Sequence, residues 1–455
     1  IPVWYNKTTN EIHCEVEPPK DIENWNQEED VLDTWASSWL WAQDVFTNDK
    51  DQNYYYPTDL LVTGPDIIFF WVARMIIAGM EFHKKIPFKD VYFTSIIRDM
   101  QGRKLSKSLG NSPDPFNVIA EYGADALRFT INYISPLGQD VMFSTDKCEI
   151  GRNFANKIWN AGRFLLMNAE KIKINDELKN KHIDAVDEWL DSKFNRTLKQ
   201  IDFALDTFDL NGATKLVYSY VWSDFCDWYI EFIKNKLYSN DEELKSASLT
   251  RALEHFENLL KIVHPFMPFI TEEIWHLIKT RNEKESISTS QFPILNELKI
   301  NEKIENEIEF LKDVITALRT IRSEMNLAPS AKITAFLKTN QISIQQEKFI
   351  KSLARFEKLV VDPNIEKPKG SASSIVRGCD IFVPLEGLID IEIERNRIEK
   401  EIKRLEGMLI GVEKKLANED FVKRAPKEII EKEQQKKEHW NESLQKLNFI
   451  LNDLK

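Results

Sequence analysis

The chain has 455 residues, 42% of them hydrophobic, and its length predicts a multidomain protein of about three domains. Its 61 Lys and Arg residues against 73 Asp and Glu give a formal net charge of −12, which excludes general coating of a nucleic acid and leaves only local basic surfaces for a polyanion. The four cysteines form no C-x-x-C pair, and the longest apolar run, Ile67 to Met80, is too short to cross a membrane. We therefore expect a cytoplasmic protein with free thiols, no membrane segment and no protein-bound metal.

The first segment, residues 1–150, mixes strand-like and helix-like runs, and this alternation predicts parallel α/β structure. Asp59–Gly64 is a short apolar run that ends at a Gly-Pro turn, and Ile67–Gly79 has the length and spacing of a helix. Lys89–Asp99 is rich in β-branched and aromatic residues, so it predicts a second strand.

The sequence pattern changes twice in the middle of the chain. Residues 151–285 contain long amphipathic stretches, including Arg152–Met167 and Asp187–Thr207, and predict an all-helical domain. Residues 286–388 contain shorter mixed segments and predict a small α+β module.

The last segment, residues 389–455, has the apolar repeat of a coiled coil. Apolar side chains, with Arg395 as the one exception, recur at steps of four and three from Ile391 to Leu416, and again from Trp440 to Leu454. A polar break ending at Pro426 separates the two repeats, so the simplest fold is an antiparallel coiled-coil hairpin with Pro426 in the first turn of the second helix. A solvated or self-associating coil is the alternative for this segment.

The polar stretch Gln101–Asn111, QGRKLSKSLGN, directly follows the second predicted strand. Lys104 and Lys107 are flexible cations with hydroxyl groups next to them, a composition that suits the oxygens of a polyphosphate. Gly102 and Gly110 give the backbone freedom on either side. By composition alone, such a stretch is more often an ordinary solvated surface loop.

The stretch GRKLSKSLGNSPDP, followed by YGADALRFT, resembles the KMSKS loop of class I aminoacyl-tRNA synthetases, with Leu105 in place of the usual methionine. Within that class, Glu29–Trp41, Tyr56–Ile76, Arg152–Asn168 and Lys415–Glu433 resemble the valyl-tRNA synthetases. The resemblance implies a partial Rossmann-like nucleotide-binding domain and a helical anticodon-binding bundle, ahead of the small module and a tRNA-binding hairpin. It also implies that valine is activated with ATP, together with Mg²⁺, and is then transferred to tRNA(Val).

The resemblance assigns roles to individual residues. Lys107 is expected to contact the ATP phosphates during catalysis, supported by Lys104, Ser106 and Ser108. Gly64 and Asp66 match the Gly-x-Asp turn that binds adenosine, and the walls of the valine pocket match Trp35, Ile67 and Trp71. From the pattern alone, Asp66 is equally an N-cap of the following helix, and Trp71 is more simply a core residue.

Two groups of cations are candidate tRNA contacts. Arg152, Lys157 and Arg163 lie in the helical region, where they could instead contact a neighbouring domain, and Lys423 and Arg424 lie in the hairpin. In the hairpin such contacts would go to phosphates, which fix position without reading sequence.

None of the seven histidines forms the His-x-Gly-His motif of this class, and no segment resembles its inserted editing domain. We therefore expect the chain to correspond to the second half of a monomeric valine–tRNA ligase and to be unable to form valyl-adenylate alone. The alternative is a stand-alone tRNA-binding or assembly module without catalysis.

Overall fold

The computed structural model describes residues 2–282, 284–328, 330–388, 391–417 and 427–453. These residues belong to two units. The first unit comprises the residues up to Asn156 together with Gln200–Tyr218 and Val263–Glu273. The second comprises Lys157–Lys199, Ser219–Ile262 and the residues from Ile274 onward.

The strands of the first unit are short and form three small sheets. They are β1 (Trp4–Asn6), β2 (Ile12–His13), β3 (Trp25–Gln27), β4 (Thr58–Thr63), β5 (Phe88–Phe93), β6 (Ile97–Arg98) and β7 (Val141–Met142). Strand β1 pairs antiparallel with β2 and β3, whereas β4 pairs in parallel with β5, and β6 in parallel with β7. The parallel pairs agree with the α/β structure predicted for this segment.

The short helices of the first unit are α1 (Thr34–Ser38), α2 (Trp41–Asp44), α3 (Asp49–Tyr55), α4 (Ala73–Ala78), α5 (Pro115–Tyr122) and α6 (Ala124–Ile134). A 3₁₀ turn at Pro65–Ile67 and π-helical turns at Ile68–Val72 and Gly79–His83 extend α4 on both sides. The helix predicted over Ile67–Gly79 is therefore present, but only its centre is α-helical.

The strand predicted over Asp59–Gly64 is confirmed by β4, and the strand structure predicted over Lys89–Asp99 is present but interrupted at residues 94–96. The run divides into β5 and β6, which pair with different partners. Thr94 N donates to Thr63 O at 2.9 Å, and Ser95 Oγ then donates to Pro136 O at 3.1 Å, so the chain leaves β4 between the two strands.

Two apolar clusters support the elements of the first unit. One contains Tyr56, Val72, Met75 and Phe88, and it holds the β4–β5 pair against α4 and the preceding π-helical turn. The other contains Val118, Phe143 and Cys148, with Ile97 of β6 packed on it. Both parallel strand pairs are thus anchored by buried side chains.

The helical region contains α7 (Glu149–Ala169), α8 (Ala185–Asp206), α9 (Leu210–Ser219), a π-helical segment (Tyr220–Tyr229), α10 (Ile230–Leu237), α11 (Glu242–Val263) and α12 (Pro268–Ile278). Helices α7 and α8 coincide, within a few residues, with the predicted amphipathic stretches. Most of the large aromatic side chains here are buried, including Trp189, Phe225, Phe232 and Phe256.

The second unit also contains a mixed α+β region. Its elements are α13 (Glu302–Glu324), β8 (Thr334–Lys338), α14 (Ile344–Ala354), β9 (Lys358–Val361), β10 (Ser371–Val376) and β11 (Cys379–Pro384). The strand order is β10-β11-β8-β9, with β8 and β9 parallel and the other pairs antiparallel. This four-stranded sheet agrees with the predicted α+β character.

Two long helices, α15 (Ile391–Ala417) and α16 (Lys427–Asp453), pack against each other. Glu413 pairs with Lys437 at 3.0 Å and Lys415 with Glu433 at 3.7 Å, so the paired positions run in opposite directions along the chain. Apolar positions of the predicted repeat are buried, namely Ile398, Ile402, Leu405, Val412 and Leu444. Pro426, predicted in the first turn of the second helix, lies outside the described residues.

None of the described helices is both long enough and apolar enough to span a bilayer. All four cysteines are free thiols, and only Cys14 is exposed.

Candidate active site

The loop Gln101–Asn111 is attached to the end of β6 by backbone hydrogen bonds. Asp99 N donates to Arg103 O at 2.9 Å, and Leu105 N donates to Ile97 O at 3.4 Å. Gly102 takes a positive φ of 80°, which an L side chain rarely adopts, so a glycine suits the tip of this turn. The loop is therefore fixed where it leaves the strand.

Asp99 is the buried acceptor beneath the loop, with 8% of its surface exposed. Its carboxylate accepts hydrogen bonds from Gln101 N at 3.0 Å, Arg103 N at 2.9 Å and Asn111 Nδ2 at 2.9 Å, and it forms an ion pair with the Arg103 guanidinium at 2.7 Å. The hydrogen bond from Asn111 is the largest influence on the pKa of Asp99, and together with Arg103 it holds that pKa far below the ordinary value. Asp99 is consequently ionised over the whole physiological range.

Lys104 contacts the turn that follows β4. Its Nζ lies 2.6 Å from Asp66 Oδ2, with 59% and 48% of the two side chains exposed. The hydrogen bond from Lys104 lowers the pKa of Asp66. Two stretches that are 38 residues apart in sequence, and that the resemblance assigns to one nucleotide site, thus meet through their charged side chains.

Gly64 leaves room for the present position of the Asp66 carboxylate and does not have an unusual backbone angle. Its φ is −79°, within reach of any residue, but a Cβ at this position would lie 2.7 Å from Asp66 Oδ1. Asp66 does not cap a helix: the residues at the N-caps of the two following helical turns are Gly64 and Ile67, without a side-chain capping bond. The alternative explanation of Asp66 as an N-cap is therefore wrong.

The centre of the loop presents two hydroxyl groups and one free cation. The hydroxyl oxygens of Ser106 and Ser108 lie 2.6 Å apart, and Ser108 N donates to Ser106 Oγ at 3.2 Å. Lys107 is exposed between them, and its side chain has no hydrogen-bond or ion-pair partner among the described residues. Its ammonium group is available to a ligand.

The three candidate pocket residues lie on α1 and on the helical turns after β4. Trp71 Nε1 donates to Ser38 O at 3.2 Å, which ties the π-helical turn to α1, the helix that contains Trp35. The Trp35 ring lies 6.2 Å from the Phe70 ring, and Ile67 is half-buried. Trp71 also packs on the cluster of buried residues around Tyr56, so it has a structural contact as well.

Comparison with known proteins places these features in a family. Residues 4–144 match the model of class I tRNA synthetases (I, L, M and V), and residues 187–337 match that of the anticodon-binding domain of tRNA ligases. Residues 390–455 match the valyl tRNA synthetase tRNA binding arm. The chain is 42% identical to the valine–tRNA ligase of Geobacillus stearothermophilus over its full length, and 41% identical to that of Fusobacterium nucleatum over 99% of it. The chain belongs to the valine–tRNA ligase family.

The chain spans about half the length of these valine–tRNA ligases, 52% and 53% respectively. Among solved structures, the Agrobacterium radiobacter K84 agnB2 LeuRS–tRNA–LeuAMS ternary complex has a TM-score of 0.50 and 18% identity, covering 62% of this chain and 35% of that one. At that identity the likeness concerns the fold alone.

Within this member of the valine–tRNA ligase family, the candidate tRNA-contacting cations differ in their surroundings. Arg152 pairs with Glu149 at 3.0 Å, and Lys157 pairs with Asp227. Arg163 is exposed, has no partner among the described residues, and borders a cavity of about 170 Å³. Lys423 and Arg424 lie outside the described residues.

The second unit contains a buried ionic network that no sequence pattern indicated. Two carboxylates, Asp187 and Asp191, are acceptors in it. Lys236 Nζ lies 2.6 Å from Asp187. Arg251 Nη2 and His255 Nε2 lie 2.6 Å and 2.9 Å from Asp191. Burial alone would raise the pKa of Asp191, but its hydrogen bond to His255 and the charge of Arg251 lower it instead. The charged groups pair with one another, which indicates a structural role, although Arg251 Nε and His255 Nδ1 are buried without a hydrogen-bond partner among the described residues.

Within the described part of the chain, no group of three or more His, Cys, Asp and Glu side chains is arranged to hold a metal ion.

Proposed function

We propose that this chain supplies the phosphate-binding loop, part of the valine site and the tRNA-binding region of a valine–tRNA ligase, which activates valine with ATP and joins it to tRNA(Val). The observation that carries the proposal is the contact between Lys104 and Asp66, beside an unpaired Lys107. Three family models that match in order along the chain support the same reaction.

In this proposal Lys107 acts on the phosphates of ATP. A carboxylate oxygen of valine attacks the α-phosphorus, the bond from that phosphorus to the oxygen bridging to the β-phosphate breaks, and pyrophosphate leaves with the negative charge. An ammonium group on a flexible stem stabilises the charge that develops on these oxygens. Ser106 and Ser108 would donate further hydrogen bonds, and Mg²⁺ enters as part of the ATP substrate.

Asp66 would accept hydrogen bonds from the ribose hydroxyls in the space that Gly64 leaves open. Its carboxylate is held by Lys104, so nucleotide binding would exchange one charged partner for neutral donors. Exposed ion pairs contribute little, so this exchange is feasible. Lys104 would then be free to join Lys107 at the phosphates.

For the amino acid, we propose that Trp35, Ile67 and Trp71 form walls of the valine pocket. The hydrogen bond from Trp71 to Ser38 supports this because it holds the indole against the helix that contains Trp35. A wall that is fixed in this way discriminates by volume, which favours valine over larger aliphatic side chains.

For tRNA, we propose that Arg163 makes a direct phosphate contact, because it is exposed and unpaired among the described residues. Arg152 and Lys157 would first have to leave Glu149 and Asp227. Helices α15 and α16 would form the predicted coiled-coil hairpin, with Lys423 and Arg424 as further phosphate contacts. The domain boundaries 1–150, 151–285, 286–388 and 389–455, a monomeric state and a cytoplasmic location remain predictions.

The reaction is tested by valine-dependent exchange of pyrophosphate into ATP. The 455-residue chain is assayed alone and in a chimera in which it replaces the matching half of the Geobacillus stearothermophilus ligase. We expect exchange, and valylation of tRNA(Val), by the chimera and none by the chain alone. A folded chimera that binds tRNA but shows no exchange would favour the tRNA-binding module without catalysis.

The tRNA contact is tested by filter binding at several salt concentrations. Arg163→Ala should weaken binding of tRNA(Val) and lower the slope of log affinity against log salt by about one, since one phosphate contact is lost. Lys171→Ala, which removes an exposed cation near the end of the same helix, is the matched control. An unchanged slope for Arg163→Ala would exclude the contact.

A further inference from the structure

One side chain, that of Asn111, links parts of the loop Gln101–Asn111 by hydrogen bonds. Its Oδ1 accepts from Ser106 N at 2.9 Å, while its Nδ2 donates to Lys104 O at 3.3 Å and to Asp99 Oδ2 at 2.9 Å. A single amide therefore holds the backbone at Lys104 and at Ser106, the residues on either side of Leu105.

Asp99 determines which way this amide faces. A carboxylate only accepts hydrogen bonds, so it selects the NH₂ end of Asn111 and leaves the oxygen for Ser106 N. Asp99 is itself fixed by Arg103 and by the backbone of the turn, and β6 before it is paired with β7. The chain of contacts thus runs from the sheet, through Asp99 and Asn111, to the backbone of the loop.

Neither residue offers a free group to a phosphate. Asp99 is buried and negatively charged, and both ends of the Asn111 amide already have partners. The side chain of Lys107, in contrast, is exposed and unpaired among the described residues. A role for Asp99 and Asn111 in the reaction can therefore only be indirect.

We propose that Asn111, oriented by Asp99, is a positioning residue of this loop: it sets the backbone conformation from which Lys104 and Lys107 reach the phosphates of ATP. The inference rests on the proposed function of the loop. Misplacing a reacting or charge-stabilising group by about 1 Å can lower a rate by about a hundredfold, so loss of this amide should affect the rate more than substrate binding.

The conformational part is tested by hydrogen–deuterium exchange of the 455-residue chain. In Asn111→Ala, the amide of Ser106 loses its acceptor, and we expect its exchange to accelerate about five- to tenfold, with Lys104–Ser108 following. Asn117→Ala is the matched control, because Asn117 is exposed on α5 and has no side-chain hydrogen bond among the described residues. Equal protection of the loop in Asn111→Ala and in the wild type would overturn the proposal.

A swapped pair separates positioning from general damage to the fold. Asn111→Asp alone places two carboxylates within hydrogen-bond distance, so it should loosen the loop at least as much as Asn111→Ala. Adding Asp99→Asn restores a donor facing an acceptor, and the carboxylate introduced at position 111 can still accept from Ser106 N. The swap does not restore the hydrogen bond to Lys104 O, and it weakens the contact of position 99 with the Arg103 guanidinium. Relative to Asn111→Asp alone, we expect the double variant to regain part of the protection; no gain at all would contradict the proposed pairing.

The catalytic part is tested by pyrophosphate exchange in the chimera. Asn111→Ala should lower kcat about a hundredfold, leave the KM for valine near the wild-type value, and recover in part in the swapped pair. If the wild-type chimera is active and its Asn111→Ala variant keeps the same kcat, the positioning role alone is overturned. A folded wild-type chimera without any exchange would instead overturn the proposed function.

Discussion

The lysine loop of the first unit and the ionic network of the second unit use the same kinds of side chain in opposite ways. Lys104 and Asp66 are largely exposed, and the side chain of Lys107 has no partner among the described residues. Lys236, Arg251 and Asp187 are buried, and the two cations pair with Asp187 and with the half-buried Asp191. The charged groups of the loop are therefore available to a ligand, whereas those of the network stabilise the fold. Variants at the two places should separate effects on function from effects on stability.

The largest effect on stability is expected at Asp187. Its carboxylate lies 2.6 Å from Lys236 Nζ and accepts from Tyr229 Oη at 3.1 Å. Burial alone would raise the pKa of Asp187, but the charge and hydrogen bond of Lys236 outweigh burial and lower it. Asp187→Ala leaves Lys236 with Asp184 as its one remaining carboxylate partner among the described residues, at 2.9 Å, and removes the acceptor of the buried Tyr229 hydroxyl. This should lower the free energy of unfolding by about 3 kcal/mol in urea denaturation.

The matched control for Asp187→Ala is Glu297→Ala. Glu297 also pairs with a lysine, Lys199 at 3.0 Å, but 62% of its side chain is exposed. Its removal should produce only a small fraction of the effect at Asp187. Comparable losses for the two variants would mean that burial does not distinguish the network from a surface pair.

In the first unit, packing should affect stability more than the charges of the loop do. A Cβ on Gly151 would lie 2.7 Å from the Cα of Ala126, so Gly151→Ala should destabilise by about 1–3 kcal/mol. Gly411→Ala is the control, since nothing lies within 4 Å of its Cβ position in α15, and it should stabilise by about 1 kcal/mol. Thermal unfolding of both variants measures the difference; a neutral Gly151→Ala would contradict the close contact.

A smaller change in stability is expected at the exposed pair. Asp66→Ala removes the partner of Lys104, yet both side chains are largely in solvent, so the melting temperature should stay close to the wild-type value. ATP binding by the chimera, measured by calorimetry, should fall in the same variant. A large loss of stability without loss of ATP binding would place Asp66 with the structural charges instead.

Thiol labelling should distinguish exposed from buried positions without altering stability. Burial raises the pKa of Cys226 to about 12 and that of Cys379 to about 11, so both thiols are protonated and unreactive at pH 8. Cys148 is buried too, whereas Cys14 is exposed. We expect one fast-reacting thiol, Cys14, in the native chain; fast labelling of Cys226 would indicate local opening of the second unit.

Local patterns were sufficient to predict some of these features. The apolar run of β4, the amphipathic repeats of α7 and α8, and the polar loop after the second strand each lie within one short window of sequence. The division of Lys89–Asp99 into β5 and β6 could not be predicted, because it depends on the partners Thr63 and Pro136 elsewhere in the first unit.

The connections between segments were also beyond local patterns. Lys104 and Asp66 are 38 residues apart, and Lys236 and Asp187 are 49 apart, so neither pair leaves a trace in local spacing. Gly64 was predicted as part of a turn, but the closeness of the Asp66 carboxylate to it requires coordinates. The role of Asn111 likewise depends on Asp99, twelve positions earlier.

The most direct test concerns Lys107, the unpaired cation of the loop. Pyrophosphate exchange is measured in the chimera for Lys107→Ala, with the exposed Lys89→Ala as control and valine affinity measured separately. Loss of one charge-stabilising donor should lower kcat by about 10²–10³ while valine binding stays near the wild-type value. An unchanged rate, or equal losses in rate and in valine binding, would contradict the assignment of this loop to the phosphates of ATP.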